Sequence, residues 1–203
     1  MKLYNFPQAP NCWRVRAYLS EKGLECPTSM VDLNAGESRT EEFGKINSLH
    51  ETPVLELDDG TRIAESIAIC RYFEDLHPEP NLMGTTPLER AQIEMWNRRA
   101  EIHLMNTVGN IAIHSFDFFK DKVEQLPTFV ETQRRLAPRK WAWLDSELSD
   151  GRAFLAGERF TLADITGMCA LRIAGFVDQS PAPDLANVAR WADSVMSRPS
   201  WEA

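Results

Sequence analysis

Residues 52–66 read Thr52-Pro53-Val54-Leu55-Glu56-Leu57-Asp58-Asp59-Gly60-Thr61-Arg62-Ile63-Ala64-Glu65-Ser66. Two short apolar runs flank an Asp-Asp-Gly turn, which is the pattern of a β-hairpin. Pro53 opens the first run, where a missing N–H is tolerated, and a proline at such a tight entry is expected in the cis form. Glu65 and Ser66 follow the second run and start a helix whose inner face is predicted at Ile67, Cys70 and Phe73.

Toward the amino terminus, Leu3 to Phe6 is a short apolar run that predicts a strand. Pro10 and Asn11 interrupt it, and Cys12, Val15 and Leu19 then recur at helical spacing until Gly23 supplies a stop. A further strand fits Thr28 to Leu33. Residues 1–77 therefore alternate strand and helix, as an α/β domain does.

Residues 78–87 follow as a linker rich in Pro and Gly, and residues 88–203 read as helical throughout. Thr86-Pro87-Leu88-Glu89 offers an N-cap hydroxyl, a proline at the first helical position and a glutamate to close the cap. One long helix is predicted beyond it, with Ile93, Trp96, Ala100, His103, Thr107 and Ile111 on one face. A second starts near Pro127 and should kink or break at Pro138, which lacks a ladder N–H. Thr161-Leu162-Ala163-Asp164 reads as a structural capping box with Phe160 and Ile165 as its staple, and a last helix runs from about Asp184 to Pro199.

Composition narrows the function. The 203 residues are 43% hydrophobic and 26% charged, enough for a sizeable core. Lys and Arg number 22 against 30 Asp and Glu, and the net charge of -8 argues against nucleic acid as a partner. No apolar run reaches the roughly 18 to 20 residues a membrane span requires, and Met1-Lys2-Leu3-Tyr4 begins without a leader pattern, so no membrane association and a cytoplasmic location are expected. Cys12, Cys26, Cys70 and Cys169 have neither C-x-x-C nor ligand spacing, so reduced thiols are predicted, with no disulfide and no metal. The last three read as buried small hydrophobes.

Four segments together carry a resemblance. They are Ala9-Pro10-Asn11-Cys12-Trp13-Arg14-Val15-Arg16, Thr52-Pro53-Val54-Leu55, Glu65-Ser66, and Phe154-Leu155-Ala156-Gly157 through Thr161-Leu162-Ala163-Asp164. In their order and spacing the chain resembles a cytosolic glutathione transferase over nearly its whole length, with an amino-terminal motif similar to the bacterial nu-type and the theta- and delta-like members. The resemblance implies a thioredoxin-like α/β amino-terminal domain that binds glutathione and an all-α carboxy-terminal domain that lines an electrophile pocket. It also implies a homodimer that activates glutathione, its co-substrate, as a thiolate for conjugation to small hydrophobic electrophiles, a detoxifying reaction. Two other activities stay open: a glutathione-dependent disulfide or peroxide reductase, and a transferase-like protein that binds ligands or partners without turnover.

By the same resemblance, Thr52 and the cis Pro53 present the main chain of Val54 to the cysteinyl part of glutathione, a small case of strand addition. Glu65 meets the α-ammonium of its γ-glutamyl end and Ser66, at a helix start, the carboxylate. His50 matches a contact to the glycine carboxylate. A free thiol has a pKa of about 8.5, so the enzyme must donate hydrogen bonds to sulfur. Many relatives use a serine where this chain has Ala9, which can donate nothing. Asn11, Cys12 and Tyr4 remain as candidates; the nu-like Pro10-Asn11 favours Asn11, and Tyr4 reads as core packing. Trp96, Arg99, His103, Asn106 and His114 are candidates for the second-substrate pocket.

Overall fold

In the computed structural model, which describes residues 1–203, the chain divides into Met1–Asn81 joined by Glu202–Ala203, and Leu82–Trp201. The first unit contains β1 (Lys2–Asn5), α1 (Pro10–Lys22), β2 (Thr28–Met30), α2 (Glu41–Ile46), β3 (Val54–Glu56), β4 (Arg62–Ala64) and α3 (Ser66–Leu76). The sheet order is β2-β1-β3-β4, with β1 and β2 parallel and the other pairs antiparallel. A parallel pair needs a long crossover, and α1 supplies it. Pro10 starts that helix without wasting a donor, and Gly23, at φ +63°, ends it by donating to the carbonyls of Leu19 and Ser20.

Leu3, Val15, Tyr18, Val54, Leu55 and Ile69 are fully buried between sheet and helices. Tyr18 donates its hydroxyl to Glu74, and Lys22 pairs with the same carboxylate, tying α1 to α3. Lys22 also donates to the carbonyls of His77 and Pro80, at 2.7 and 2.8 Å. The Thr52-Pro53 bond is cis as predicted; Glu79-Pro80 is cis too.

Three local expectations change. β2 stops at Met30 because the Asp32 carboxylate accepts from the amides of Asn34 and Ala35 and turns the chain. The inner face of α3 is Ser66, Ile69, Cys70 and Phe73, with Ile67 only half-buried. Its entry residue Glu65 sits at φ +67°, ψ 115°. Cys26 is half-buried, whereas Cys70 and Cys169 are buried as expected.

The second unit holds α4 (Pro87–Arg99), α5 (Asn106–Ser115), α6 (Pro127–Glu147), α7 (Leu162–Phe176) and α8 (Ala186–Met196). Thr86 caps α4 by accepting from the Glu89 amide. The Glu89 carboxylate accepts from the amide and hydroxyl of Thr85 at 2.8 and 3.0 Å and pairs with Arg159. Those donors, the Thr85 amide foremost, hold its pKa down at about 2. The long helix predicted after Pro87 forms without a gap, as α4, a π-helical stretch at Ala100–Met105, and α5. From the first turn of α5 the Thr107 hydroxyl donates back to the His103 carbonyl in that stretch, at 2.9 Å.

Helix α6 runs through Pro138 without the predicted break. One missing ladder bond is offset by the buried face of Gln133, Ala137, Trp141 and Leu144, with the Trp141 indole donating to the Gln179 carbonyl at 2.8 Å. The capping box forms at the start of α7: Thr161 and Asp164 satisfy each other's amides, and twelve of the helix's fifteen residues are buried. Asp145, on α6, caps α8 by accepting from the amides of Asn187 and Val188 at 2.8 and 3.0 Å.

Candidate active site

Two helices of the first unit begin beside the hairpin entry. Ala9, the N-cap of α1, and Glu65, the N-cap of α3, contribute no side-chain cap, so the amides of both first turns are left for solvent or a ligand. Asn11, Thr52, Pro53, Glu65 and Ser66 line one shallow cleft there, together with Asn47 and Glu51. Five of the residues nominated from the sequence thus share one surface.

Asn11 is exposed in the first turn of α1, and its amide makes no hydrogen bond within the protein. Glu65 is exposed as well, and its positive φ belongs to a region that side-chain-bearing residues rarely occupy. Ser66 is almost wholly buried, with its Oγ accepting from Arg14 Nη1 at 3.0 Å.

The remaining nominations stand apart from the cleft. Cys12 is fully buried, and its Sγ accepts from the Phe6 amide at 3.4 Å. Burial pushes its thiol pKa up, against the smaller opposing pull of the Thr52 hydroxyl and the Phe6 amide. Tyr4 packs edge-on against Phe43 and donates to Glu56 at 3.3 Å. His50, at φ +58°, turns its Nδ1 to the Ser38 carbonyl at 2.6 Å and packs on Gly44, where an added Cβ would lie 2.8 Å from the ring.

Val54, nominated for its main chain, lies within the sheet and is not part of the cleft lining. Val54 has Tyr4 as its register partner on one side and Ala64 on the other. Thr52, before the cis proline, is largely buried but lines the cleft and pairs with no strand.

Asn47, Glu51 and Arg14 were not singled out from the sequence. Asn47 donates to the Glu51 carbonyl at 2.9 Å and accepts from the Leu49 amide at 3.1 Å. An Asn just beyond a helix end, ahead of a turn, was the available signal. For Arg14 the signal was a charge set between Trp13 and Val15, one helical turn beyond Asn11.

In the second unit, Trp96 stacks on Trp143 with centroids 6.1 Å apart, and the guanidiniums of Arg99 and Arg152 lie 5.0 and 4.6 Å from its ring. His103 meets Trp143 edge-on, with Lys140 Nζ 3.3 Å from its Nδ1. Burial, then Lys140 and Arg99, pull the His103 pKa down. A cavity of about 490 Å³ opens between the end of α7 and α8 beside Phe176, Pro181, Met196 and Trp201. None of Trp96, Arg99, His103, Asn106 and His114 lines it.

Comparison with known proteins gives one consistent answer. Residues 9–76 match the model of the glutathione S-transferase N-terminal domain and residues 105–199 that of the C-terminal domain. Glutathione S-transferase 2 of Saccharomyces cerevisiae is 35% identical over 204 residues, covering 98% of this chain and 87% of that protein. The crystal structure of Gtt2 from the same yeast superposes with a TM-score of 0.92 at 33% identity, covering 100% of this chain and 99% of that one. A glutathione S-transferase domain-containing protein of Marinobacter aquaeolei superposes at 0.93 with 39% identity, covering 99% of this chain and 100% of that one.

Proposed function

The chain belongs to the glutathione S-transferase family, and from that premise we propose how this glutathione transferase works: Asn11 activates glutathione as a thiolate for attack on a small apolar electrophile. The observation that carries the proposal is the Asn11 amide, which has no internal hydrogen bond and shares a cleft with Thr52, Glu65 and Ser66. The cleft suits the tripeptide. Ser66 and the open first turn of α3 offer donors for the γ-glutamyl carboxylate, and Glu65 offers a partner for its ammonium. The Thr52 main chain takes the role first assigned to Val54, bonding the cysteinyl residue beside Pro53. Asn47, on the cleft wall, is assigned to the glycine carboxylate, with His50 as a second partner from outside the lining, where its ring is held by the Ser38 carbonyl.

An amide N–H beside sulfur favours the charged form of the thiol and has no proton of its own to lose near neutrality. Cys12 is assigned a packing role. Its burial and raised pKa disfavour the thiolate that a disulfide-exchange mechanism requires.

By likeness to the family the proposal extends to a cytoplasmic, detoxifying homodimer. A stripe along α4 and the π turn supports self-association: Leu88, Met95 and Ile102, spaced by seven, are 69%, 41% and 44% exposed. Such a stripe suits a second copy of the same helix.

The test is an ultraviolet difference titration of the protein with glutathione across pH, because thiolate absorbs where thiol does not. Thiolate absorption that develops well below the pKa of free glutathione is the expected result. Glutathione bound with an unshifted thiol would assign the chain to ligand binding without turnover.

A further inference from the structure

Arg14 is a buried guanidinium on α1 that no part of the proposed chemistry uses. Only 1% of it is exposed, and it reaches 52 residues along the sequence to Ser66 on α3, Nη1 to Oγ, at 3.0 Å. We infer that Arg14 is a positioning residue that fixes the Ser66 hydroxyl as a donor and thereby makes the cleft selective for ligands carrying a carboxylate at that end. The inference rests on the proposed placement of the γ-glutamyl carboxylate at Ser66.

The argument is one of hydrogen-bond polarity. A hydroxyl has one donor and two acceptor sites, and its hydrogen rotates to suit the neighbours. A guanidinium only donates. The Ser66 oxygen must therefore accept from Arg14, and the Ser66 hydrogen is directed elsewhere. No other bond engages the Ser66 side chain, and Ser66 lines the cleft. A carboxylate arriving there only accepts, so it meets a hydroxyl already turned to donate. A charge-assisted bond into the oxygen also polarises the O–H and strengthens that donation. With a neighbour able to accept, the same hydroxyl would spend its hydrogen inside the protein and present lone pairs to the ligand.

A purely architectural role for Arg14 is the rival account. The link between α1 and α3 is also made by Tyr18 and Lys22 on Glu74, two helical turns further along, so helix attachment does not fall to Arg14 alone.

The experiment compares calorimetric affinities for glutathione and for γ-aminobutyryl-cysteinyl-glycine, which keeps the amine and lacks the α-carboxylate. The wild-type protein is expected to prefer glutathione by about tenfold, the scale of one charge-assisted hydrogen bond. Arg14→Lys keeps a neighbour that only donates and should retain the preference. Arg14→Gln, whose amide oxygen can accept from Ser66, should abolish it. Ser66→Ala should also abolish it, and adding Arg14→Gln to Ser66→Ala should cost nothing more, since the two act as one unit. A preference that survives Arg14→Gln overturns the positioning role alone, as does an equal loss for both ligands. A wild-type protein that binds glutathione with no preference overturns this inference and the placement of the carboxylate together. Should the Arg14 variants fail to fold, nitrogen NMR of the wild-type guanidinium decides. Its Nη signal should move with glutathione and not with the analogue; the same response to both overturns the inference.

Discussion

The indole of Trp191 donates to Asp164 Oδ1 at 3.0 Å, joining α8 to the capping box of α7 at a point where neither side chain is exposed. Asp164 also accepts from the amides of Leu155 and Thr161 and from the Thr161 hydroxyl. Burial raises its pKa while these donors pull the other way. Asp164→Ala strands several buried donors at once and should cost roughly 3 kcal/mol or more in urea denaturation, whereas Trp191→Phe, which removes one bond and part of a buried ring, should cost about 1 to 3 kcal/mol. A loss for Asp164→Ala as small as that of a surface substitution would show the network to be dispensable.

Asn11→Ala should raise the pKa of the bound thiol and slow conjugation of an aryl halide at neutral pH by about tenfold or more, from loss of roughly 1.5 to 3 kcal/mol of bonding to a charged sulfur. Cys12→Ser should instead lower stability by about 1 to 3 kcal/mol, since it buries a stronger polar group, and leave turnover per folded molecule little changed. If Cys12→Ser abolishes turnover, or a mixed disulfide of Cys12 with glutathione is trapped, the assignment passes from Asn11 to Cys12.

Glu65 holds a backbone conformation suited to glycine, and its side chain is the proposed partner of the ammonium. Glu65→Gly should therefore change stability by no more than about 1 kcal/mol in either direction, while glutathione binding weakens several-fold. Thermal melts and calorimetry on one preparation separate the two effects. A large loss of stability with unchanged affinity would contradict both halves.

Glu89 provides a pH dependence with a definite sign. Its folded pKa is depressed from 4.5 to about 2, so its contribution is complete above the unfolded value and is lost as pH falls through that window. The melting temperature should fall less steeply between those two pH values for Glu89→Gln than for the wild-type protein. Parallel curves would remove Glu89 from the acid response.

The stripe of Leu88, Met95 and Ile102 should govern assembly. Replacing all three by serine should convert a dimer to a monomer in sedimentation at micromolar concentration and leave helix content intact. A wild-type monomer under those conditions refutes the proposed dimer; a variant that stays dimeric moves the interface elsewhere.

Most of the scaffold was legible in the sequence, because its signals act over a few residues. The Asp-Asp-Gly turn, Pro10 and Gly23 around α1, Thr86 before α4 and the box at Thr161 and Asp164 each satisfy or terminate backbone groups within about one helical turn. Where that reading failed, the cause was in places local, as at the Asp32 turn that ends β2, and in places packing against more distant parts of the chain. The buried face of α6 carries the helix through Pro138, while the long helix expected after Pro87 is present and includes a π-helical stretch at Ala100–Met105.

The cleft divides in the same way. Thr52, Pro53, Glu65, Ser66 and Asn11 carry a motif, and motif spacing survives in one dimension. Which backbone can meet a ligand depends on sheet register, and the pairing of Val54 with both Tyr4 and Ala64 is why the proposal gives that role to Thr52. Whether a thiol is reactive depends on burial, which puts Cys12 out of solvent one residue after the exposed Asn11. The bond from Arg14 to Ser66 spans 52 residues, and that from Asp145 to the start of α8 spans 42. Sequence therefore determined the elements and the chemistry carried at their ends. The tertiary structure alone decided which ends meet, because hydrogen-bond partners so far apart are selected by packing and leave no periodicity in the chain.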